Sequence, residues 1–204
     1  MKNILFSPKI KKDKFNNLEY IIENNWYKFF AKKKVNLIPI TKDILKKKDI
    51  KSFKAHAVIL SGGNDLVIHK NSEENKVRRD NDKQLIKLSL KNKIPILAVC
   101  YGFQLIAYLF KEKNYKVKNH VRKTHNLVIK KIFKNNIIVK VNSFHNFGIK
   151  SLPIEFNCIS THPDGTIELA HNINKKIMCC MFHPERKNKS QKIINKIIFN
   201  HLKI

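Results

Sequence analysis

Three observations predict an α/β protein built on a mostly parallel sheet. Apolar runs alternate with segments of helical spacing over roughly the first 110 residues, the pattern of parallel strands joined by helices. The run at 94–99 is apolar throughout, as in a strand covered on both faces. Beyond it the pattern changes to short strand-like pieces with hairpin signals such as Pro163-Asp164-Gly165, which add antiparallel strands in the second half.

Taken in order, "KNILFS" predicts a first strand that stops at Ser7-Pro8. Leu18, Ile21, Ile22, Trp26, Phe29 and Phe30 recur at helical spacing and predict a helix within 16–34. "VNLIPI" is the second strand, 41–51 a polar connection or short helix, and "HAVILSGGNDL" a third strand running into a glycine turn. The charged segment 73–93 reads as a helix carrying Leu85, Ile86, Leu88 and Leu90, followed by the strand "PILAV" and a buried helix over 102–110. "HNLVIKKIF", "NIIVKVNSFH", "FNCISTH", "TIELAH" and "KIMCCMFH" read as strands. Ile193, Ile194, Ile197 and Ile198 mark a last amphipathic helix over 191–202. No repeat or linker interrupts the 204 residues, so one domain over 1–204 is expected.

Composition narrows the function. With 42 Lys+Arg against 15 Asp+Glu, the net charge is +27. The only arginines are Arg78, Arg79, Arg122 and Arg186, while lysines are spread along the whole chain beside abundant Asn and Ile. That mixture reads as the coding bias of an A+T-rich genome, and no nucleic-acid partner is expected; a basic nucleic-acid-binding module is the distant alternative. A positive field still favours a phosphate-bearing small substrate. No apolar run approaches the roughly 18 residues of a spanning helix, and the start, "MKNILFSPKIKKDKF", does not read as a signal peptide. Cys100, Cys158, Cys179 and Cys180 form no CxxC and favour neither a disulfide framework nor a zinc site. The expectation is a cytoplasmic protein with no membrane partner.

Three segments carry chemistry. Cys100 sits where a buried strand meets a buried helix, with small Ala98 and Gly102 two positions either side. Such a sharp turn exposes a nucleophile at the carboxyl edge of the sheet, and the helix amino terminus favours thiolate. A cysteine after an apolar strand is equally an ordinary packing residue. "SGGNDL" at 61–66 offers backbone N–H groups with no side chain in the way, and one of them could pair with the N–H just after the nucleophile as an oxyanion hole. Read alone, it is also an ordinary turn. In "MFHPE" an apolar strand stops at His183, with Glu185 two residues beyond to orient the ring. His162 in "THPD" has the same spelling but runs into Gly165 and reads as a turn; His145 in "NSFH" is a third candidate.

Cys100-x-Gly102-x-Gln104, the upstream Gly-Gly, a central "SFH", "DG-x-x-E" (Asp164, Gly165, Glu168) and terminal "FHPE" occur here in the order of class I glutamine amidotransferase domains. The chain resembles that family over nearly its entire length, and within it the free-standing hydrolase branch that includes the γ-glutamyl-γ-aminobutyrate hydrolases. It departs in having Ala98 where the usual elbow has glycine, and Ser61-Gly-Gly where many relatives have Pro-Gly-Gly.

The resemblance implies a flavodoxin-like three-layer αβα sandwich. It implies Cys100 as nucleophile, His183 as base and acid, and Glu185 as its orienting partner. The oxyanion hole falls at the N–H groups of Gly63 and Tyr101. Gly62, Asn64, Gln104 and the segment Ser143, Phe144 and His145 fall around the substrate. The reaction implied is hydrolysis of a γ-glutamyl amide through a thioester, with γ-glutamyl-CDP-amidate of capsule phosphoramidate synthesis as substrate. Glutamate and cytidine diphosphoramidate are the products. No metal, no organic cofactor and no obligatory synthetase partner are expected. A glutaminase subunit of an amidotransferase and a γ-glutamyl-γ-aminobutyrate-type hydrolase are the alternatives. Arg78, Arg79 and Arg186 are candidate cations for a diphosphate, none of them assigned.

Overall fold

Strands that are apolar on both faces must be covered on both, and that requirement sets the layers of this molecule. The computed structural model describes residues 1–130 and 135–204. Strand β1 (Lys2–Ser7) leads into a hairpin of β2 (Lys9–Lys12) and β3 (Leu18–Ile21), then α1 (Asn24–Phe30) and β4 (Val35–Pro39). Helix α2 (Lys42–Lys47) and a 3₁₀ turn (Ile50–Phe53) precede β5 (Ala55–Leu60), α3 (Glu73–Lys91), β6 (Ile96–Val99) and α4 (Tyr101–Leu109). The second half holds β7 (Asn114–Lys116), β8 (Val121–Ile129), β9 (Ile137–Phe144) and β10 (Phe147–Ile149). It closes with β11 (Asn157–Thr161), β12 (Ile167–Asn172), β13 (Ile177–Cys180) and α5 (Gln191–Leu202).

The main sheet runs β11-β12-β13-β6-β5-β1-β4. β4, β1, β5, β6 and β13 are mutually parallel, and β12 and β11 add on antiparallel. This is the predicted mostly parallel sheet with antiparallel strands from the second half. Alternate residues feed two cores. Leu5, Val58, Leu60, Ile96 and Ala98 pack with Leu45 of α2, Leu85 and Ile86 of α3 and Phe103 of α4. Ile4, Phe6, Ile59, Leu97 and Val99 pack with Trp26 and Phe30 of α1 and Ile194, Ile197 and Ile198 of α5. The antiparallel pair β8–β9 joins this second face through Leu127, Ile129, Val139 and Val141. No helix among the described residues is long and apolar enough to cross a membrane.

The expected helix within 16–34 is shorter than its apolar spacing suggests. Asp13 accepts the N–H groups of Phe15 and Asn17 at 2.8 Å each, and Asn16 turns at φ 67°. That side-chain turn folds 9–21 into a hairpin and leaves only Asn24–Phe30 helical, so local turn chemistry defeats periodicity. Part of the strand expected in "HNLVIKKIF" (131–133) lies outside the described residues. The three-residue strands β7 and β10 pair with each other and carry no pattern visible in the sequence.

Helix α3 is not a solvated charged face. Arg78 and Asp82 are fully buried, with Arg78 Nε donating to Asp82 Oδ2 at 2.8 Å and Nη2 to the Ser61 carbonyl at 2.8 Å. Arg78 also donates to the Pro8 carbonyl, and Ser7 Oγ bonds the Asp82 carboxylate. Ser61 Oγ donates to the Ser7 carbonyl at 2.7 Å, a tie that proline at this position could not make. The ends of β1 and β5 are thus fastened to α3 beneath Tyr101, whose ring lies 5.0 Å from the Arg78 guanidinium. Arg78 is therefore not the diphosphate cation considered from sequence.

Two stability measurements check this frame. Arg78→Ala strands Asp82 in the interior and should lower the unfolding free energy by about 3–5 kcal/mol in chemical denaturation. A Cβ on Gly102 would lie 2.5 Å from the Leu60 carbonyl oxygen, so Gly102→Ala must push α4 off β5. A loss of about 1–3 kcal/mol is expected in the same assay.

Candidate active site

Strand β6 ends in the interior and α4 starts at the next residue but one, so Cys100 must reverse the chain alone. It does so at φ 50° and ψ −103°, a conformation that costs a residue with a Cβ about 1–3 kcal/mol. Its N–H donates to the Cys180 carbonyl at 2.8 Å, and its carbonyl accepts the Gln104 N–H at 3.0 Å. Gly102 lets α4 approach Leu60 closely enough to close the turn. Ala98 sits fully buried between Leu60 and Cys179. Cys100 is 8% exposed, and that exposure faces a cavity of about 170 Å³ also lined by Gly63, Gln104, Phe144, His145 and His183.

His183 follows β13, three residues past its last paired residue, Cys180. The Asn142 side chain holds its backbone from both sides, accepting its N–H at 2.9 Å and donating to its carbonyl at 2.8 Å. Asn188 donates to the same carbonyl at 3.0 Å and accepts the Asn142 N–H at 2.7 Å. The Glu185 carboxylate accepts from His183 Nδ1 at 2.7 Å, which assigns the proton to Nδ1 and turns Nε2 toward Cys100. Gly62 lies against both: a Cβ there would stand 2.7 Å from His183 Cε1 and 3.2 Å from Cys100 Cβ. Burial disfavours imidazolium at His183, but the Glu185 charge and hydrogen bonds with Cys100 and Glu185 outweigh it and raise the pKa to about 10.

The structure brings other sequence candidates to the same cavity in different ways. Gly63 adopts φ +105° at the rim. Tyr101 is the first residue of α4, where a backbone N–H has no acceptor within the helix. Gln104 lines the cavity while donating to the Phe147 carbonyl at 2.9 Å. Asn64 also lines it, but its amide accepts from Ile10 N–H at 2.9 Å and donates to the Ile10 carbonyl and Asn75, so it fastens β2. Phe144 meets the His183 ring edge-on at 5.9 Å. Ser143 is fully buried outside the cavity, its hydroxyl donating to the His120 carbonyl at 2.7 Å. His145 lines the cavity with Nδ1 3.0 Å from the Phe147 carbonyl. Glu168 lies behind it, 3.3 Å from Nε2; burial would raise that carboxyl, but His120 and His145 hold it below the usual range. His162 pairs with Asp164 in the turn before β12, not with Cys100.

Sequence reasoning missed Asn142, Asn188, Asp65 and Asn146, and left Arg186 unassigned. Asn142 was detectable as a polar residue next to the inward-facing Val139 and Val141 of β9. Arg186 lines the cavity, donates to Glu23 at 2.8 and 3.3 Å, and lies 4.7 Å from the Phe144 ring. Burial opposes ionisation of Glu23, yet Arg186 and Lys9 hold its pKa low. A thiol, an imidazole and a carboxylate in series, facing an enclosed space with backbone donors at its rim, suit covalent acyl chemistry.

A γ-glutamyl-CDP-amidate hydrolase of Campylobacter jejuni is 33% identical to this chain over 181 residues, covering 86% of each. A glutamine-hydrolysing GMP synthase of Brachyspira hyodysenteriae is 34% identical over 160 residues, 74% of this chain and 29% of that protein. Among solved structures, a GMP synthase-type protein of Thermoplasma acidophilum superposes with a TM-score of 0.71 at 17% identity, covering 100% of this chain and 93% of the other. A glutamine amidotransferase of Thermotoga maritima gives 0.65 at 17% identity, covering 100% and 86%; at that identity these two show the shared fold. Residues 13–203 match the family described as glutamine amidotransferase class-I. The chain belongs to the class I glutamine amidotransferase family.

Proposed function

We propose that residues 1–204 act as one domain that hydrolyses a γ-glutamyl amide with Cys100, His183 and Glu185 as its catalytic triad. The observation that carries this reading is the strained backbone at Cys100, which aims a thiol into a cavity beside His183. A packing cysteine gains nothing from such a turn, whereas a nucleophile is presented by it. The Cys100 thiolate adds to the γ-carbonyl, and the oxyanion turns to the N–H groups of Gly63 and Tyr101. The C–N bond breaks as protonated His183 gives its Nε2 proton to the departing nitrogen, leaving a γ-glutamyl thioester. Acylation removes the thiolate charge and hydrogen bond that help to raise the His183 pKa. The now neutral ring takes a proton from water, which cleaves the thioester and returns glutamate and thiolate.

γ-Glutamyl-CDP-amidate is the substrate favoured, because the Campylobacter jejuni hydrolase aligns over 86% of both chains while the Brachyspira GMP synthase is matched over 29% of its length. The net charge of +27 and the placement of Arg186 at the cavity suit a leaving group that carries a diphosphate. In capsule phosphoramidate synthesis the products would be glutamate and cytidine diphosphoramidate. The GMP synthase relatives favour a second reading, a glutaminase that feeds ammonia to a synthetase partner.

Purified protein offered γ-glutamyl-CDP-amidate, glutamine and γ-glutamyl-γ-aminobutyrate should release glutamate from the first fastest, and Cys100→Ala should release none above background. Release from glutamine alone, rising when a synthetase is added, would establish the second reading instead. The pH profile supplies another check. A raised pKa means that the leaving-group acid survives to high pH, so kcat/KM should fall only as pH rises through about 10. Glu185→Gln removes the carboxylate that supports the charged ring, and the same limb should then move toward neutrality.

A further inference from the structure

Four of the nine histidines meet next to the cavity, in a cluster that the reaction does not use apart from His145. His120 precedes β8, His125 lies within it, and His162 and Asp164 form the turn between β11 and β12. The His120 and His125 rings stack at 4.6 Å, and His162 stands 4.2 Å from His125 at a right angle. One ring nitrogen from each of the three lies within 4.8 Å of the other two. Nε2 of His125 is buried and has no hydrogen-bond partner, in a residue only 5% exposed.

With every histidine neutral, the protons in this cluster do not close. The Phe147 carbonyl, 3.0 Å from His145 Nδ1, takes the one proton of a neutral His145 and leaves Nε2 bare. His145 Nε2 then accepts from His120 Nδ1 at 3.2 Å, with Glu168 Oε1 3.5 Å from the same donor. A neutral His120 has spent its proton there. Its Nε2 lone pair nevertheless faces Asp164 Oδ2 at 2.8 Å, and the other Asp164 oxygen is 2.9 Å from His162 Nδ1. A second proton on His120 would close the Asp164 contact as an ion pair. Among the described residues, however, no proton donor reaches the bare His125 nitrogen, and that is the group a metal ion would satisfy.

We propose that His120, His125, His162 and Asp164 bind one divalent transition-metal ion, with Zn²⁺ the best match to three imidazoles and a carboxylate. Tetrahedral zinc about 2.0–2.1 Å from each ligand sets its donor atoms about 3.4 Å apart. The three imidazoles already converge within 4.8 Å. The two Asp164 contacts, at 2.8 and 2.9 Å, are hydrogen-bond distances that must open by about 0.5 Å. The half-buried His162 ring and Asp164, on an exposed turn, can move to admit the ion. Glu168 takes the place of the outer carboxylate that orients a metal-bound histidine, here His120 through Nδ1. The ion is structural: it staples the start of β8 to the turn before β12 and holds His145 at the cavity wall. It takes no part in the chemistry at Cys100, and its binding can be measured without a substrate.

The full-length chain carrying Cys100→Ala, so that zinc cannot bind at the nucleophile, is stripped with chelator and titrated with Zn²⁺ by calorimetry. Metal content is then measured after dialysis. One Zn²⁺ per chain, a rise in melting temperature and, with Co²⁺, visible absorption of tetrahedral intensity are expected. His162→Gln and Asp164→Asn, both on an exposed turn, should weaken binding by more than about 100-fold, since losing an outer partner alone typically costs about 10–100-fold. No bound Zn²⁺ in a folded chain would overturn the proposal. So would stoichiometric binding that both substitutions leave unchanged, because the ion would then lie elsewhere.

Discussion

A residue with a β-carbon does not rest at φ 50° and ψ −103° unless its neighbours leave no alternative, and at Cys100 they do so from three directions. Strand β6 is buried along its whole length and cannot unwind to relieve the turn. Strand β13 takes the Cys100 N–H through Cys180 and fixes the end of β6 in register. Helix α4 lies on β5 at a distance that only a glycine at 102 allows. The neighbours thus hold the Cys100 thiol at the cavity against the preference of its own backbone.

Around that point the polar groups of the interior work as fasteners rather than as ligands. Arg78, Asp82, Ser7 and Ser61 tie β1, β5 and α3 together under the glycine loop, where a cluster of orphaned polar atoms would otherwise be costly. Asn142 and Asn188 hold the His183 backbone, so ring placement depends on two amides that bond its main chain and not its ring. Gly62 leaves just enough room for the imidazole to meet the sulfur. The electrostatics follow from this geometry. A buried imidazole would be neutral by burial alone, and it is the Glu185 carboxylate, held at 2.7 Å, that reverses the balance.

The strong positive charge belongs to a different level of description. Most of it is lysine spread over the surface, while the arginine deepest in the molecule is neutralised by Asp82. Arg186 is the arginine that charge and position bring to the cavity rim, and even it shares its guanidinium with Glu23. The diffuse field of the surface and the local charge at the cavity are thus separate properties, carried by different residues.

How far each feature was legible in the sequence depended on how local its cause is. Strands such as "PILAV" and the helix over 191–202 are written in contiguous apolar patterns, and so was the alternation that implies a parallel sheet. Cys100, Gly102, His183 and Glu185 stood out because a sharp turn and a strand end are local events with few residue types able to make them. The hairpin at 9–21 was hidden because Asp13 side-chain bonds override a helical spacing. The burial of Arg78 under Pro8, and the meeting of His120 and His125 with His162 and Asp164, were invisible because those segments lie tens of residues apart. By itself the sequence determined which segments are strands and helices and which short stretches can present a nucleophile and its base. Only the tertiary structure decided which buried polar groups meet, because burial and hydrogen-bond pairing arise between elements and leave no periodic trace within one.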